Sequence, residues 1–386
     1  MVADSIKEIK YLKVKKAEGQ TALNLIKINY KKYSVINQKY KILYYDEFIF
    51  FPLEENKDLI EKVIDSIGNK IEIEIVTKLG IINENYKFKS LQDALKGNIP
   101  DAYQELIPKS YDLIGSIAIV EFDKFEHIKN KELSNYKKEV AKAITLVNKK
   151  IITVYEKKSE IMGTYRLRDL ALLYGENKSE TIYKENNCTF KLDVKKTYFT
   201  PRLVFERRRV ASSEIRENEL IIDMFAGVGP FSIQIAKNHD VRVYAFDINP
   251  DAYNYLKENI KSNKLKGEVI PYNLNVRDLL NPSDTLGNSL QGKADRIIMN
   301  LPERSIEFVD VAGFLMKQSG GILHFYQFSE KPNPIERTIE LLNKKLNEFN
   351  WLIEEIITSK IVKSYSPKAE LVGLDLYIKS ANFLRK

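Results

Sequence analysis

The chain has 386 residues, 44% of them hydrophobic, with 61 Lys and Arg against 53 Asp and Glu, a net charge of +8 and an isoelectric point near 9.0. At roughly 100 to 200 residues per domain this length makes two or three domains, and no apolar run reaches the ~18 residues of a membrane span. One cysteine, Cys188, excludes an internal disulfide, and three scattered histidines, His127, His239 and His324, offer no zinc spacing, so neither redox nor metal chemistry is expected.

The leading stretch "MVADSIKEIKYLKVKKAEGQ" lacks the apolar segment of a signal peptide, which predicts a cytoplasmic protein. The excess of positive charge favours a polyanionic partner through counterion release, although a lysine-rich surface can also be merely solvated. Basic residues do cluster, at Lys7, Lys10, Lys13, Lys15 and Lys16, at Lys195 and Lys196, and at Arg207, Arg208 and Arg209. The alternating run "KYKILYYDEFIFFPL" and the helical "NKDLIEKVIDSIG" predict a small N-terminal α+β domain over 1–76, followed by a polar connector over 77–89. A second α+β domain over 90–196 combines the strand "LIGSIAIVEF", the amphipathic helix "NKELSNYKKEVAKAITLVNKK" and strands through "TIYKENNCTFKLDV".

From 197 to 386 strands and helices alternate. Strands are predicted at 219–223, 241–247, 267–275, 295–300 and 320–328, which makes a doubly wound parallel sheet. Two long strand-like runs, "WLIEEIITSKIVKSY" and "ELVGLDLYIKS", joined by "SPKA", add an antiparallel pair at its end. Ligands of such sheets bind outside the carboxyl ends of the strands, where the strand order reverses.

At the first of these ends stands "DMFAGVGPFSIQIA", in which Gly227 and Gly229 allow a sharp turn and the following helix presents free N–H groups. Ser232 occupies the place of the third glycine of a dinucleotide fingerprint, and no Walker lysine follows. The second strand ends in "FDINP", placing Asp247 24 residues after Asp223, where a carboxylate can take both hydroxyls of a ribose. Either acid alone could be a helix cap, but two in register at adjacent strand ends point to a ligand. The fourth strand closes with "NLPE" at 300–303, where Asn and Pro could be a simple turn. The context of the strand end has to decide between a turn and a site.

This combination resembles the S-adenosylmethionine-dependent methyltransferase fold, whose fourth strand carries a catalytic tetrapeptide at the place of "NLPE"; the resemblance implies that Asn300 projects beside the methyl donor and that Pro302 stiffens the loop that aims it. More narrowly, "GTYRLRDLALLYGENKSETIYKENN", "YFTPRLVFERRRV", "DMFAGVGPFSI", "FDINP", "IIMNLPERSIEFVD" and "VKSYSP", in that order from about residue 163 onward, resemble the archaeal and eukaryotic tRNA (guanine-37-N1)-methyltransferase family. The resemblance implies a Rossmann-like class I methyltransferase domain with antiparallel terminal strands, preceded by two smaller α+β domains. It implies methyl transfer from S-adenosylmethionine to N1 of guanosine 37, next to the anticodon. The partner would be tRNA, held at the anticodon loop and, through the N-terminal domain, at the elbow. A monomer without metal is expected.

Guanine N1 carries a proton at neutral pH, so its methylation needs a proton acceptor and a donor that stabilises charge on O6. By resemblance the acceptor is Glu206, the O6 donor is Arg166, and Asn300 orients the purine and contacts the methionine moiety. Without the flanking motifs, Glu206 and Arg166 would read as surface ion pairs. The same resemblance assigns Tyr198, Arg207, Asp223, Phe225, Gly227, Gly229, Asp247, Ile248, Asn275 and Val276 to the cofactor, and Arg202 and Pro302 to the substrate. Asn275 stands where an aspartate is usual, and can still accept from an adenine amino group. Glu303 stands where a basic residue is expected. Rival readings are methyl or aminocarboxypropyl transfer to a tricyclic guanine derivative at the same position, and a non-catalytic RNA-binding scaffold. The intact "TPR" and "NLP" favour methyl transfer, and the glycines and paired carboxylates disfavour the scaffold.

Overall fold

The computed structural model describes residues 7–29, 35–122 and 131–382; His127 and the start of the helix predicted from 130 lie outside them. Two compact units emerge, Met1–Glu105 and Leu106–Lys386.

The first unit is an antiparallel sheet with two helices. Its elements are β1 (Glu8–Lys15), α1 (Gly19–Asn29), β2 (Leu43–Tyr45), β3 (Phe48–Pro52), α2 (Lys57–Gly68), β4 (Ile73–Leu79) and α3 (Leu91–Leu95), with strand order β2-β3-β1-β4. Alternation along β1 turns Leu12 and Val14 into the core that Ala22 and Ile26 of α1 and Ile60, Val63 and Ile67 of α2 complete. The last three recur at helical spacing, which is why α2 lies with one stripe on the sheet. Strand β4 runs three residues beyond the expected boundary at 76, because its register on β1 continues to Glu8↔Leu79. The unit extends through the predicted connector to Glu105, since Leu91, Ala94 and Leu95 of α3 are buried. Much of the leading basic cluster is matched: Lys13 pairs with Glu74 and Lys15 with Glu72, both at 2.7 Å, and Lys7 pairs with Glu55.

The second unit contains β5 (Tyr111–Ile114), β6 (Ile117–Val120), α4 (Lys131–Val147), β7 (Thr153–Lys157) and β8 (Leu170–Gly175), a four-stranded sheet in that strand order, and then the hairpin β9 (Glu180–Glu185) and β10 (Cys188–Asp193). The expected boundary at 196/197 does not divide the structure into separate bodies. Cys188, Phe190 and Leu192 of β10 share one core with Val210, Ile233 and Leu256, and Asn259 bridges to Lys191 by N–H···O contacts of 2.7 and 3.0 Å. Burying that many apolar side chains across the seam, at roughly 1.5 to 3 kcal/mol each, outweighs any tendency of the two parts to separate.

The chain then continues through α5 (Val204–Ala211), β11 (Leu220–Asp223), α6 (Ser232–Asn238), β12 (Arg242–Asp247), α7 (Pro250–Ser262), β13 (Glu268–Asn273), α8 (Thr285–Leu290), β14 (Arg296–Met299), α9 (Val309–Leu315), β15 (Gly321–Glu330), α10 (Pro334–Glu348), β16 (Trp351–Ser364) and β17 (Ala369–Ser380). These strands form one sheet in the order β13-β12-β11-β14-β15-β17-β16, the first five parallel and the last two antiparallel, as the alternation predicted. Strands covered on both faces should be apolar throughout, and β14 is buried at all four positions. The order reverses between β11 and β14, so the loops that follow them part and leave a crevice at their carboxyl ends. Among the described residues no helix is long and apolar enough to cross a membrane, and no group of three His, Cys, Asp or Glu is placed to hold a metal ion.

Candidate active site

The crevice is a cleft of about 300 Å3. Its floor is the glycine loop between β11 and α6. Gly227 and Gly229 have φ of +56° and +90°, in the left-handed region that side chains avoid. A Cβ on Gly229 would lie 2.4 Å from Leu256 Cδ1, so that glycine lets α7 pack down; a Cβ on Gly227 would meet nothing closer than 3.9 Å and would project into open space. Gly227 therefore keeps the cleft free for a ligand.

The two strand-end carboxylates hold this loop. Asp247 accepts from Gly227 N–H at 2.7 Å and from Asn249 N–H at 2.8 Å, tying the ends of β11 and β12 together. Burial pushes its carboxyl above the ordinary value, against those two backbone donors. Asp223 accepts from the Ser232 hydroxyl at 2.6 Å through one oxygen, while the other, Oδ1, is buried with no partner among the described residues. Burial raises its pKa to about 6, assisted by the charge of Asp247 and opposed by the Ser232 and Phe225 donors.

On the far wall, Asn300 follows β14. The turn after it is clamped by Ser305, whose hydroxyl donates to Met299 C=O at 3.0 Å and accepts from Leu301 N–H at 3.2 Å, and by Pro302 C=O, which accepts from Phe328 N–H at 3.0 Å. Asn300 Oδ1 is buried and unpartnered. Arg166 lines the same cleft, held in the left-handed region at φ +57° with its guanidinium 4.4 Å from the centre of the Tyr198 ring and Nη2 3.2 Å from Glu303; its Nε is buried with no acceptor among the described residues. A buried donor and a buried acceptor left open across one cleft are costly unless a ligand completes them. Phe225, Ile248, Asn275 and Val276 complete the walls; Phe225 packs edge-on against Phe308 at 5.1 Å, and Asn275 caps the turn after β13 by accepting from Arg277 N–H at 3.1 Å.

Other predicted residues stand apart. Arg207 reaches the cleft wall, but its guanidinium is buried and taken up by Glu185, at 2.5 and 2.6 Å, and by Thr200 C=O. It fixes the 198–200 segment, a bracket invisible in the sequence because Glu185 lies 22 residues away on another element. Arg202 faces a neighbouring cavity and pairs with Asp112 at 2.7 Å. Glu206 is 2% exposed and does not line the cleft. Its carboxylate accepts from Tyr326 O–H at 2.9 Å and from Arg209 at 2.5 Å and meets Lys360. Burial opposes its charge, yet the hydrogen bonds from Arg209 and Lys360 prevail and hold the carboxyl below its ordinary value. Tyr326 and Lys360 were not singled out from the sequence, and Arg209 was read there only as part of a basic cluster; the pairing with Glu206 joins elements far apart in the chain.

Asp223, Gly229 and Pro302 lie just behind the lining, Asp223 with Oδ1 unpartnered among the described residues. A doubly wound sheet with this glycine-lined crevice and an Asn-Leu-Pro turn at the fourth strand defines a class I methyltransferase, and S-adenosylmethionine fits it: Asp247 and the open acceptor of Asn300 line the cleft, and Gly227 leaves the floor clear. A family model described as the TRM5/TYW2 methyltransferase domain matches residues 181–354, and one described as the TYW2 N-terminal domain matches 91–178. The tRNA (guanine(37)-N(1))-methyltransferase Trm5b of Pyrococcus abyssi is 40% identical over 283 residues, 73% of this chain and 78% of the relative. Trm5b of Methanocaldococcus jannaschii is 34% identical over 369 residues, 95% and 98% of the two chains. A solved complex of aTrm5 with tRNALeu matches with a TM-score of 0.66 and 31% identity, covering 95% of this chain and 99% of that one. The chain belongs to the TRM5/TYW2 family of S-adenosylmethionine-dependent methyltransferases.

Proposed function

We propose that the protein methylates N1 of guanosine 37 in tRNA. The observation that carries this reading is the pair of Asn300 Oδ1 and Arg166 Nε, from two residues that line one cleft, both atoms buried and unpartnered among the described residues. The Watson–Crick edge of guanine offers the complement, N–H donors at N1 and N2 and an acceptor at O6. Bound S-adenosylmethionine supplies an electrophilic methyl on a cationic sulfur. Asp223 and Asp247 would hold it at the strand ends, Asn300 would orient the purine, and Arg166 would take the charge that gathers on O6 as the N1 proton leaves. Glu206 is the carboxylate proposed to receive that proton, which requires its side chain to turn from Lys360 toward the cleft when RNA is bound. Incubation with tRNA and labelled cofactor, followed by mass spectrometry of the nucleosides, tests the reading: 1-methylguanosine with release of S-adenosylhomocysteine is expected. Release of methylthioadenosine would instead establish aminocarboxypropyl transfer, and tight tRNA binding without cofactor binding would establish a scaffold.

Two expected results concern the cofactor. Asp247→Ala should weaken cofactor binding about 10- to 150-fold by calorimetry, the effect of losing roughly 1.5 to 3 kcal/mol of charge-assisted hydrogen bonding. Unchanged affinity in a folded variant would remove Asp247 from the site. The raised pKa of Asp223 makes cofactor affinity pH-dependent. If its ionised form is the acceptor, affinity is full above pH 6 and falls with a limiting slope of one decade per unit below that value. Asp223→Asn should abolish this slope.

The first unit carries none of these residues, and it is the part proposed to test tRNA shape at the elbow while the second unit holds the anticodon loop. Tyr44 and Tyr45 are exposed on its edge strand β2, and two linked contacts gain through effective concentration. A chain beginning at residue 106 should still bind S-adenosylmethionine. Its kcat/KM preference for whole tRNA over an isolated anticodon stem-loop should shrink. An unchanged ratio would assign shape recognition to the second unit alone. A monomer acting in the cytoplasm is the form of the enzyme proposed.

A further inference from the structure

Beside the cleft lies a larger cavity, about 740 Å3, that shares the 198–200 segment with it as a common wall. Its charges are unbalanced. The carboxylates facing it are already engaged: Asp112 by Arg202 at 2.7 Å, and Glu121 and Glu160 by Lys157 at 2.6 and 3.5 Å. Arg168 and Lys363 line the same cavity, half-buried, and neither forms an ion pair with any described residue; Arg168 Nε is buried with no acceptor among them. Cations gathered in partly desolvated space without anions are unfavourable, so such a cluster is stable only at a cost that an incoming anion removes. Lys363 reports this cost directly. Burial lowers its pKa, and Arg202, Arg168 and Arg166 lower it further against the single opposing charge of Asp112. Tyr365, 46% exposed, lines the same cavity and stacks on Phe328 with ring centroids 4.0 Å apart.

We propose that Arg168 and Lys363, with Arg202, form a binding site for one phosphodiester of the RNA strand next to the target guanosine, with the adjoining unstacked base resting on Tyr365. The inference rests on the RNA methyltransferase reading above and adds to it a backbone contact outside the methyl-transfer cleft. The shared wall of Tyr198, Phe199 and Thr200 sets the geometry: a nucleotide whose base enters the cleft carries its backbone over this wall into the basic cavity. Arg202 can take part by exchanging its bond to Asp112 for the phosphate, since its side chain is half exposed while Asp112 is largely buried. Arginine and lysine together suit a phosphodiester, the one by its planar fork and the other as a point charge. An aromatic face beside them is the usual platform for an unpaired base.

The test measures binding, so that it does not depend on catalysis. An anticodon stem-loop RNA is made with a single uncharged methylphosphonate at each linkage around position 37 in turn, and its affinity is measured for the wild-type chain, Lys363→Ala, Arg168→Ala and Lys363→Arg. Each alanine variant should lose about tenfold or more in RNA affinity and show a salt dependence shallower by about 0.7 in the logarithmic slope, with S-adenosylmethionine affinity unchanged as the control for folding. At one linkage the methylphosphonate should weaken the wild-type complex about tenfold and the alanine variants hardly at all, and Lys363→Arg should keep the wild-type response. Additive losses at every linkage, or an unchanged salt slope, overturn the site. If 1-methylguanosine forms while the losses stay additive, only the phosphate site falls. If the losses are non-additive and no methylated guanosine forms, only the assigned reaction falls.

Discussion

Glu206→Gln is expected to lower the single-turnover rate of methyl transfer by about 10²- to 10⁴-fold, the range of a lost proton acceptor, with cofactor affinity nearly intact. The magnitude follows from the chemistry at N1, which is not a nucleophile until its proton has gone. The structure adds a constraint. Glu206 is pinned by Tyr326, Arg209 and Lys360, and a carboxylate so stabilised is a weak base. To accept a proton it must lose part of this cation shell, and Lys360 on the terminal hairpin is the partner able to leave, because it is partly exposed whereas Arg209 is anchored by Asp375. Lys360→Met should therefore raise the apparent pKa governing the rate, without abolishing it. The folded pKa of Glu206 lies below its ordinary value, so the acid is ionised throughout pH 6 to 9 and its own titration limits the rate only at lower pH. A Gln variant that keeps the wild-type rate across pH 6 to 9 would remove Glu206 from the reaction. Glu303, which already lines the cleft beside Arg166, would then be the carboxylate to replace.

Behind Glu206 a file of buried polar groups continues through the sheet. Arg209 bonds Asp375, Asp375 bonds His324 at 2.6 Å, and His324 meets Arg296, which closes on Glu219 at 3.1 Å. Since Arg296 donates to Nε2, the His324 proton sits on Nδ1, donated to Asp375. Burial and the neighbouring arginines keep the ring neutral against the pull of Asp375. The file holds Arg209 in place and so keeps one cation on Glu206 when Lys360 moves.

How much of this was legible in the sequence depended on the range of the interaction. Strand ends, glycines and the Asn-Leu-Pro turn are local, so the positions of Asp223, Asp247, Gly227 and Asn300 at the carboxyl ends of the strands could be read from the sequence, and the five parallel strands with an antiparallel pair were predicted in their correct order along the chain. The pairing of β5 to β8 was not, because β6 and β7 are parallel neighbours joined through α4 while β8 returns antiparallel, and short apolar runs do not encode which neighbour they choose. Arg207 and Glu206 are adjacent in a helix and both look solvent-facing by composition. Their burial arises from Glu185, Tyr326 and Lys360, contributed from 22 to 154 positions away. Likewise the domain boundary expected at 196/197 vanished because the β10 strand spends its apolar face on the core of the catalytic sheet.

Arg166→Ala should lower methyl transfer by about 10²-fold or more at saturating RNA, the loss seen when a donor to a developing oxyanion is removed. Three features of its setting give that size. Its backbone sits in the left-handed region at φ +57°, a conformation a non-glycine residue adopts only when the surroundings hold it. Its guanidinium lies over the Tyr198 ring at 4.4 Å, and its Nε has no acceptor among the described residues. Its one ionic partner among the described residues, Glu303, is more exposed than the arginine, so this contact is weak enough to be exchanged for a substrate oxygen. Arg166→Lys should recover little, because an ammonium cannot both stack on Tyr198 and reach the cleft with a fixed fork. Glu303→Gln separates the two jobs of the pair. If Glu303 only holds Arg166 ready, its loss should raise KM for RNA by a few-fold and leave kcat close to wild type, whereas Arg166→Ala should act mainly on kcat. An Arg166→Ala enzyme with an unaltered single-turnover rate would mean that charge on O6 is stabilised elsewhere, and Asn300 with the backbone N–H groups of its turn would be the donors left to test.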